Sequence, residues 1–147
     1  TSATPEVAGK PFSPLFAAAA ATVTGKVLML GDRLDTDIEG AKRQGIASAW
    51  VNTGVHHIGD VLNAPPARRP EFLLGDLSGL FRDQAPVRID GNKSKCGSAV
   101  AVCQRTNVSL AERGATREED FRAVVSLGWH LRDVAGIETT WNATLDV

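Results

Sequence analysis

The run Lys26-Val-Leu-Met-Leu30 stops abruptly at Gly31-Asp32, and no other stretch restricts the fold of this chain so tightly. Four successive apolar residues without alternation predict a β-strand buried on both faces, as in a parallel sheet covered by helices. The flanking segments supply those helices. Ser13-Pro14 is a helix start, a capping hydroxyl followed by a proline whose missing N–H costs nothing in the first turn. Leu15 to Ala21 continues it with helix formers, and Gly25 ends it. After the acidic turn, a second helix is predicted from about Thr36 to Gln44, with Ile38 and Ala41 facing inward and Gly45 as its stop.

The alternation continues. Ala47 to Val51 reads as a strand and Thr53-Gly54 as a turn. Ile58, Val61 and Leu62 suggest one helical turn before the Pro65-Pro66 loop, and Phe72 to Leu74 a third strand with a short helix over Leu77 to Phe81. Strands alternating with helices predict an α/β fold with a parallel sheet. Beyond a linker at Arg82 to Pro86 the pattern changes. Val87 to Ile89 and Ala99 to Val102 look like a hairpin-like pair. Thr116 with Glu119 forms a capping-box pattern for a helix carrying Phe121, Val124, Val125, Gly128 and Leu131, which Gly136 closes. The expected organisation is residues 1–84 as an α/β unit and 85–147 as a small α+β appendage.

Composition narrows the function classes. Sixteen Lys and Arg against 17 Asp and Glu leave a net charge of -1, so no global basic field recruits nucleic acid or anionic lipid. Leu15 to Val23 is about half of the roughly 20 residues a spanning helix needs. With Pro11 and Pro14 at its start and no basic run before it, it is expected to be neither a span nor a signal peptide. Two cysteines, Cys96 and Cys103, cannot build a disulfide framework, and free thiols in a reducing cytoplasm are expected. On that reading the sequons at Asn92, Asn107 and Asn142 are chance matches.

Gly31-Asp-Arg-Leu-Asp-Thr-Asp-Ile38 carries the chemistry. Asp32 falls at the carboxyl end of a strand, where open α/β sheets place their ligands. Three carboxylates within six residues repel one another unless a cation sits among them or solvent screens them. One reading is Mg²⁺, which is commonly held by one or two carboxylates and water. The other is structural: Asp35 caps the second helix, Asp37 favours its dipole and Asp32 is a turn residue. Lys10, on the constrained loop Gly9-Lys10-Pro11 before the first helix, is either a solvated surface charge or a cation able to neutralise a phosphate and the nearby carboxylates together.

Gly9-Lys10-Pro11, Gly31 to Ile38, Gly45 and Val51-Asn-Thr-Gly54 together resemble the third and fourth motifs of haloacid dehalogenase-like (HAD) hydrolases. The nearest subgroup has a large C2-type cap and includes the NagD-like, phosphoglycolate, pyridoxal-phosphate and glycerol-phosphate phosphatases. The resemblance covers about Pro5 to Phe81, and the tail is loosely similar to the extension of actinobacterial glycerol-3-phosphate phosphatases. It implies part of a HAD-like Rossmannoid parallel sheet and Mg²⁺-dependent hydrolysis of a small phosphomonoester, glycerol phosphate or phosphoglycolate for instance. Asp32 would then be a metal ligand. Asp37 would serve the metal centre as a catalytic residue, holding a metal-bound water or pairing with Lys10, and Lys10 would steady the nucleophile and the transferring phosphoryl group.

One departure from the family pattern matters. HAD hydrolases attack phosphate with a strand-borne Asp-x-Asp near the N-terminus, and nothing before Lys10 supplies it. Asp35-Thr-Asp37 lies past the strand end, and Asp90-Gly91 lacks the first carboxylate. The expectation is therefore a downstream half that works beside a missing upstream half, on the same or a separate chain. Without it, the strand at Val27 to Leu30 would keep an open edge, prone to pairing with another chain or a second copy. A non-catalytic binding module of the same fold is the alternative. Among lesser candidates, His56 and His57 are either solvated or face a ligand, and His130 is a boundary residue. Trp50, Trp129 and Trp141 are expected as core or interface anchors, with Lys93 and Lys95 in a surface loop.

Overall fold

The computed structural model describes residues 9–141; Asn142 and the motif flank before Gly9 lie outside them. The elements run α1 (Ser13–Ala20), β1 (Leu28–Gly31), a π-helical turn (Leu34–Ile38) leading into α2 (Glu39–Arg43), β2 (Ala47–Val51), α3 (Ile58–Leu62) and β3 (Phe72–Leu74). There follow β4 (Val87–Asp90), β5 (Lys93–Cys96), β6 (Ala99–Gln104), β7 (Asn107–Glu112), α4 (Arg117–Ala135) and β8 (Thr140–Trp141).

Strands β1, β2 and β3 form a parallel sheet in that order, with Leu30 opposite Ala49 and Val51 opposite Leu74. The crossovers pass through α2 and α3, the βαβ connectivity expected from strands alternating with helices. β1 is an edge strand and departs from the expectation of burial on both faces: Leu28 is 38% exposed, and Met29 and Leu30 are half-buried. One face of this sheet, with Trp50 and Leu73, enters the main core; the other carries Leu30, Ala49, Val51 and Leu74 as a small separate cluster.

Residues 87–141 form a five-stranded sheet in the order β4-β5-β6-β7-β8, antiparallel except for the last pair. The expected pairing of Val87–Ile89 with Ala99–Val102 is corrected here, because β5 lies between them. Lys93 and Lys95 consequently sit on a strand rather than a loop. Lys-Ser-Lys-Cys hides its alternation from a reading by hydrophobicity, since Ser94 and Cys96 are its buried positions. Ser94 meets that demand by donating its hydroxyl hydrogen to the Ala123 carbonyl at 2.6 Å. Cys96 and Cys103 fall on different strands and are both free and buried.

α4 begins as predicted, with the Thr116 hydroxyl accepting the Glu119 N–H, and ends at Gly136 with φ 64°. Its apolar face covers both sheets. Trp50 meets Phe121 edge-on with centroids 5.6 Å apart, and Ile58, Leu62, Leu73, Val124 and Leu127 complete one core drawn from both parts of the chain. Each such side chain contributes about 1.5–3 kcal/mol on burial. A polar latch reinforces the junction: Arg69 donates to the Ala64 carbonyl and pairs with Asp133 of α4 while lying over the Trp129 ring. The Trp129 indole donates to the Val61 carbonyl at 3.0 Å. Among the described residues no helix is long and apolar enough to cross a membrane.

Candidate functional site

Two glycines assemble the site by being small. A Cβ on Gly31 would lie 2.5 Å from the Asp37 carboxyl carbon, so only a bare backbone lets that carboxylate fold back over the end of β1. A Cβ on Gly40 would lie 2.6 Å from Phe16 Cζ and 3.2 Å from Pro11 Cα. Its absence lets α1 and the Gly9-Lys10-Pro11 turn seat directly on α2.

The result brings Lys10 to Asp37 across 27 residues of sequence, with Nζ 2.6 Å from Oδ1. The other oxygen of Asp37 accepts the Arg33 N–H at 3.3 Å. The lysine side chain is 43% exposed and its partner 5%, so the pair presents a cation outward from a buried anion. The backbone around Asp37 is π-helical: the N–H groups of Asp37 and Ile38 both donate to the Arg33 carbonyl, at 3.0 and 3.2 Å. Such widened turns recur at functional sites because they re-aim side chains.

Asp32 lies just past the strand end and is half-buried. Its Oδ2 accepts the Val55 N–H at 3.2 Å. With Leu30, Gly31, Val51, Thr53 and Leu77 it lines an open cleft of about 280 Å³ at the carboxyl ends of β1 and β2. That is the position where open parallel sheets bind ligands.

Asp35 does not cap the second helix, contrary to the structural reading of the sequence. The residue at the cap position of that turn is Arg33, whose side chain makes no capping hydrogen bond. Asp35 instead holds Arg33 in a two-pronged pair, at 3.1 Å from Nε and 2.8 Å from Nη2. The hydrogen bond from Arg33 lowers the carboxyl below its usual range, and the Arg33 guanidinium is raised in return. His56 is engaged with the protein itself: its Nδ1 accepts the Leu34 N–H at 3.1 Å. His57 is exposed beside the α3 start. Sequence spacing gave no hint of the Val55 and His56 contacts, because both depend on how the loop after β2 folds over the acidic turn.

The donor set accommodates a hard cation in part. Asp32 has one carboxylate oxygen outside the Val55 hydrogen bond, whereas both oxygens of Asp37 carry protein donors. No group of three or more His, Cys, Asp or Glu clusters as a metal site among the described residues. One carboxylate with water and a substrate phosphate is within the usual coordination of Mg²⁺.

Comparisons with known proteins fit this geometry. The family model described as HAD-hydrolase-like matches residues 7–80. D-glycerol 3-phosphate phosphatase of Mycobacterium tuberculosis is 38% identical over 133 residues, covering 87% of this chain and 38% of that protein. Crystal structures of glycerol phosphate phosphatase from the same organism are similar. The magnesium complex has a TM-score of 0.61 at 32% identity, covering 86% of this chain and 38% of that one. The calcium complex has a TM-score of 0.63 at 33% identity, covering 88% and 38%. This chain therefore spans little more than a third of the length of the relatives it matches. The family match over residues 7–80, half of the chain and all of its parallel sheet, makes the chain a member of the HAD-hydrolase-like family.

Proposed function

We propose that this chain forms the metal- and phosphate-holding part of a Mg²⁺-dependent phosphatase acting on a small phosphomonoester, of the glycerol phosphate or phosphoglycolate kind. The observation that carries the proposal is Asp32 at the mouth of the cleft, with the Lys10–Asp37 pair assembled beside the same strand end. The similarity to glycerol phosphate phosphatases supports it. Asp32 is the carboxylate placed to touch the cation. Asp37, with both oxygens engaged, acts by holding Lys10 and by accepting from metal-bound water on its remaining lone pairs.

When bound, Mg²⁺ supplies charge stabilisation at the phosphoryl oxygens, worth several kcal/mol in the transition state. Lys10 presents its ammonium to the same developing charge, held in place by a buried anion rather than by mobile solvent. Val55 fixes the Asp32 carboxylate through one oxygen and leaves the other for coordination. The nucleophilic carboxylate is assigned to the upstream half of the hydrolase: Asp35 and Asp37 belong to the helical turn, with Asp35 tied to Arg33 and Asp37 to Lys10. The open edge of β1, where Leu28 is exposed and Met29 and Leu30 are half-buried, is where that half would pair. Two free, buried cysteines accord with a cytoplasmic setting.

The test is phosphatase turnover of the assembly containing both halves, with and without Mg²⁺. Asp32→Asn should lower turnover by at least about a hundredfold, the size expected for several kcal/mol of lost charge stabilisation. Undiminished turnover in that variant would overturn the catalytic assignment of Asp32, and an assembly with no turnover at all would leave a non-catalytic module of HAD-like fold as the correct reading.

A further inference from the structure

The loop after β2 grips the acidic turn at two points two residues apart. The Val55 N–H binds the Asp32 carboxylate at 3.2 Å, and the next residue, His56, receives the Leu34 N–H on its Nδ1 at 3.1 Å. Leu34 is the first residue of the π-helical turn, and its N–H is one of the donors that a helix start leaves without an internal partner. The side chain at the cap position, Arg33, makes no capping hydrogen bond to it. Leu34 is 4% exposed, so water is a poor substitute for the missing acceptor. The imidazole supplies that acceptor from 22 residues away.

From this geometry we infer that His56 is a positioning residue for Asp32: its imidazole fixes the backbone just after the metal-contacting carboxylate, while Val55 fixes the carboxylate itself. The inference rests on the assignment of Asp32 to the cation. In this role His56 acts through the Leu34 backbone and not on substrate or metal. To accept from Leu34, the ring must be neutral with its proton on Nε2. If the strut is removed, the Leu34 N–H is left buried without a partner and the segment from Asp32 to Leu34 can pivot. The Val55 contact is then strained as well, because the two residues share one loop. Loss of such an orienting partner typically weakens metal affinity by about ten- to a hundredfold.

An asparagine places its Oδ1 near the position of a histidine Nδ1 and can accept the same N–H, whereas alanine and leucine cannot. The experiment measures the Mg²⁺ concentration for half-maximal turnover, together with kcat and KM for the phosphomonoester, in the assembly with the upstream half. Circular dichroism and thermal melting accompany each variant. His56→Ala should raise the Mg²⁺ requirement about tenfold or more with KM little changed, and His56→Asn should stay within about twofold of the parent. His56→Leu, which fills the space without an acceptor, should behave like His56→Ala and carries the comparison if the alanine variant fails to fold. A folded His56→Ala or His56→Leu with the parental Mg²⁺ requirement overturns the inference, as does a His56→Asn variant no better than leucine. Asp32→Asn serves as the reference. If it too leaves the Mg²⁺ requirement unmoved, the assignment of the cation has failed and the inference falls with it. If Asp32→Asn abolishes the response while the His56 variants do not alter it, only the inference fails.

Discussion

Replacing Gly31 by alanine should disable the site while leaving every charged group in the sequence. The added methyl would lie 2.5 Å from the Asp37 carboxyl carbon, far inside contact distance, and Asp37 has no free direction in which to move. It is 4% exposed, bound on one oxygen by Lys10 at 2.6 Å and on the other by the Arg33 N–H. Overpacking of this kind costs about 1–3 kcal/mol. Loss of the Lys10 pair adds about 1 kcal/mol, kept small because the lysine is partly solvated. The sum, about 2–4 kcal/mol, corresponds to a fall of roughly 6–16 °C in melting midpoint at about 3–4 °C per kcal/mol for a chain of this size. The assay is thermal melting of this chain, paired with phosphatase turnover of the proposed assembly, in which the variant should be nearly silent because Lys10 loses its anchor. If Gly31→Ala melts with the parent protein and keeps its turnover, the packing argument for the site is refuted.

Lys10→Met should leave the buried Asp37 carboxylate without its cation, costing about 1–3 kcal/mol in a urea titration and suppressing turnover beyond any loss explained by stability; equal turnover would contradict the role given to Lys10. Asp120 in α4 is raised by burial, against a hydrogen bond from the Gly114 N–H at 2.6 Å. Its folded value lies above its unfolded one, so the charged form costs stability at neutral pH and the cost disappears on acidification. Asp120→Asn should therefore melt at or above the parent temperature at pH 7, with the advantage fading toward acid; a clear loss at pH 7 would oppose this. Glu39 has the reverse sign, lowered chiefly by the hydrogen bond from Arg68 and further by Arg43. The stability it contributes is present above an unfolded carboxyl value of about 4.3 and is lost as pH falls through the lower folded value. Glu39→Gln should be less stable than the parent at pH 7 and show a shallower acid decline, measured by urea midpoints across pH.

The parallel half was legible because its punctuation is strong. Gly25, Gly31 and Gly45 bracket short apolar runs, and β2, β3 and α3 fall where the period and the turn residues place them. The second half hid three strands, one of them, β8, because it is only the two residues Thr140–Trp141. β5 buries Ser94 and Cys96 rather than large aliphatics, and β7, Asn-Val-Ser-Leu-Ala-Glu, alternates too weakly to stand out. Trp50 could be recognised as an anchor, but its partner Phe121 lies 71 residues on, beyond any local pattern. At the site, the Gly9-Lys10-Pro11 and Gly31 to Ile38 motifs were readable as motifs. The pairing of Lys10 with Asp37 was expected from the family resemblance alone, while the recruitment of Asp35 by Arg33 and the His56 strut depend on tertiary contacts that no spacing encodes.

The most direct measurement is crystallographic location of a divalent cation in the complete assembly, using manganese in place of magnesium and its anomalous signal. The account predicts a peak in direct contact with the Asp32 carboxylate, with Lys10 still paired to Asp37 and no peak at that place in Asp32→Asn. A peak bound elsewhere, or one that survives the substitution unchanged, would contradict it.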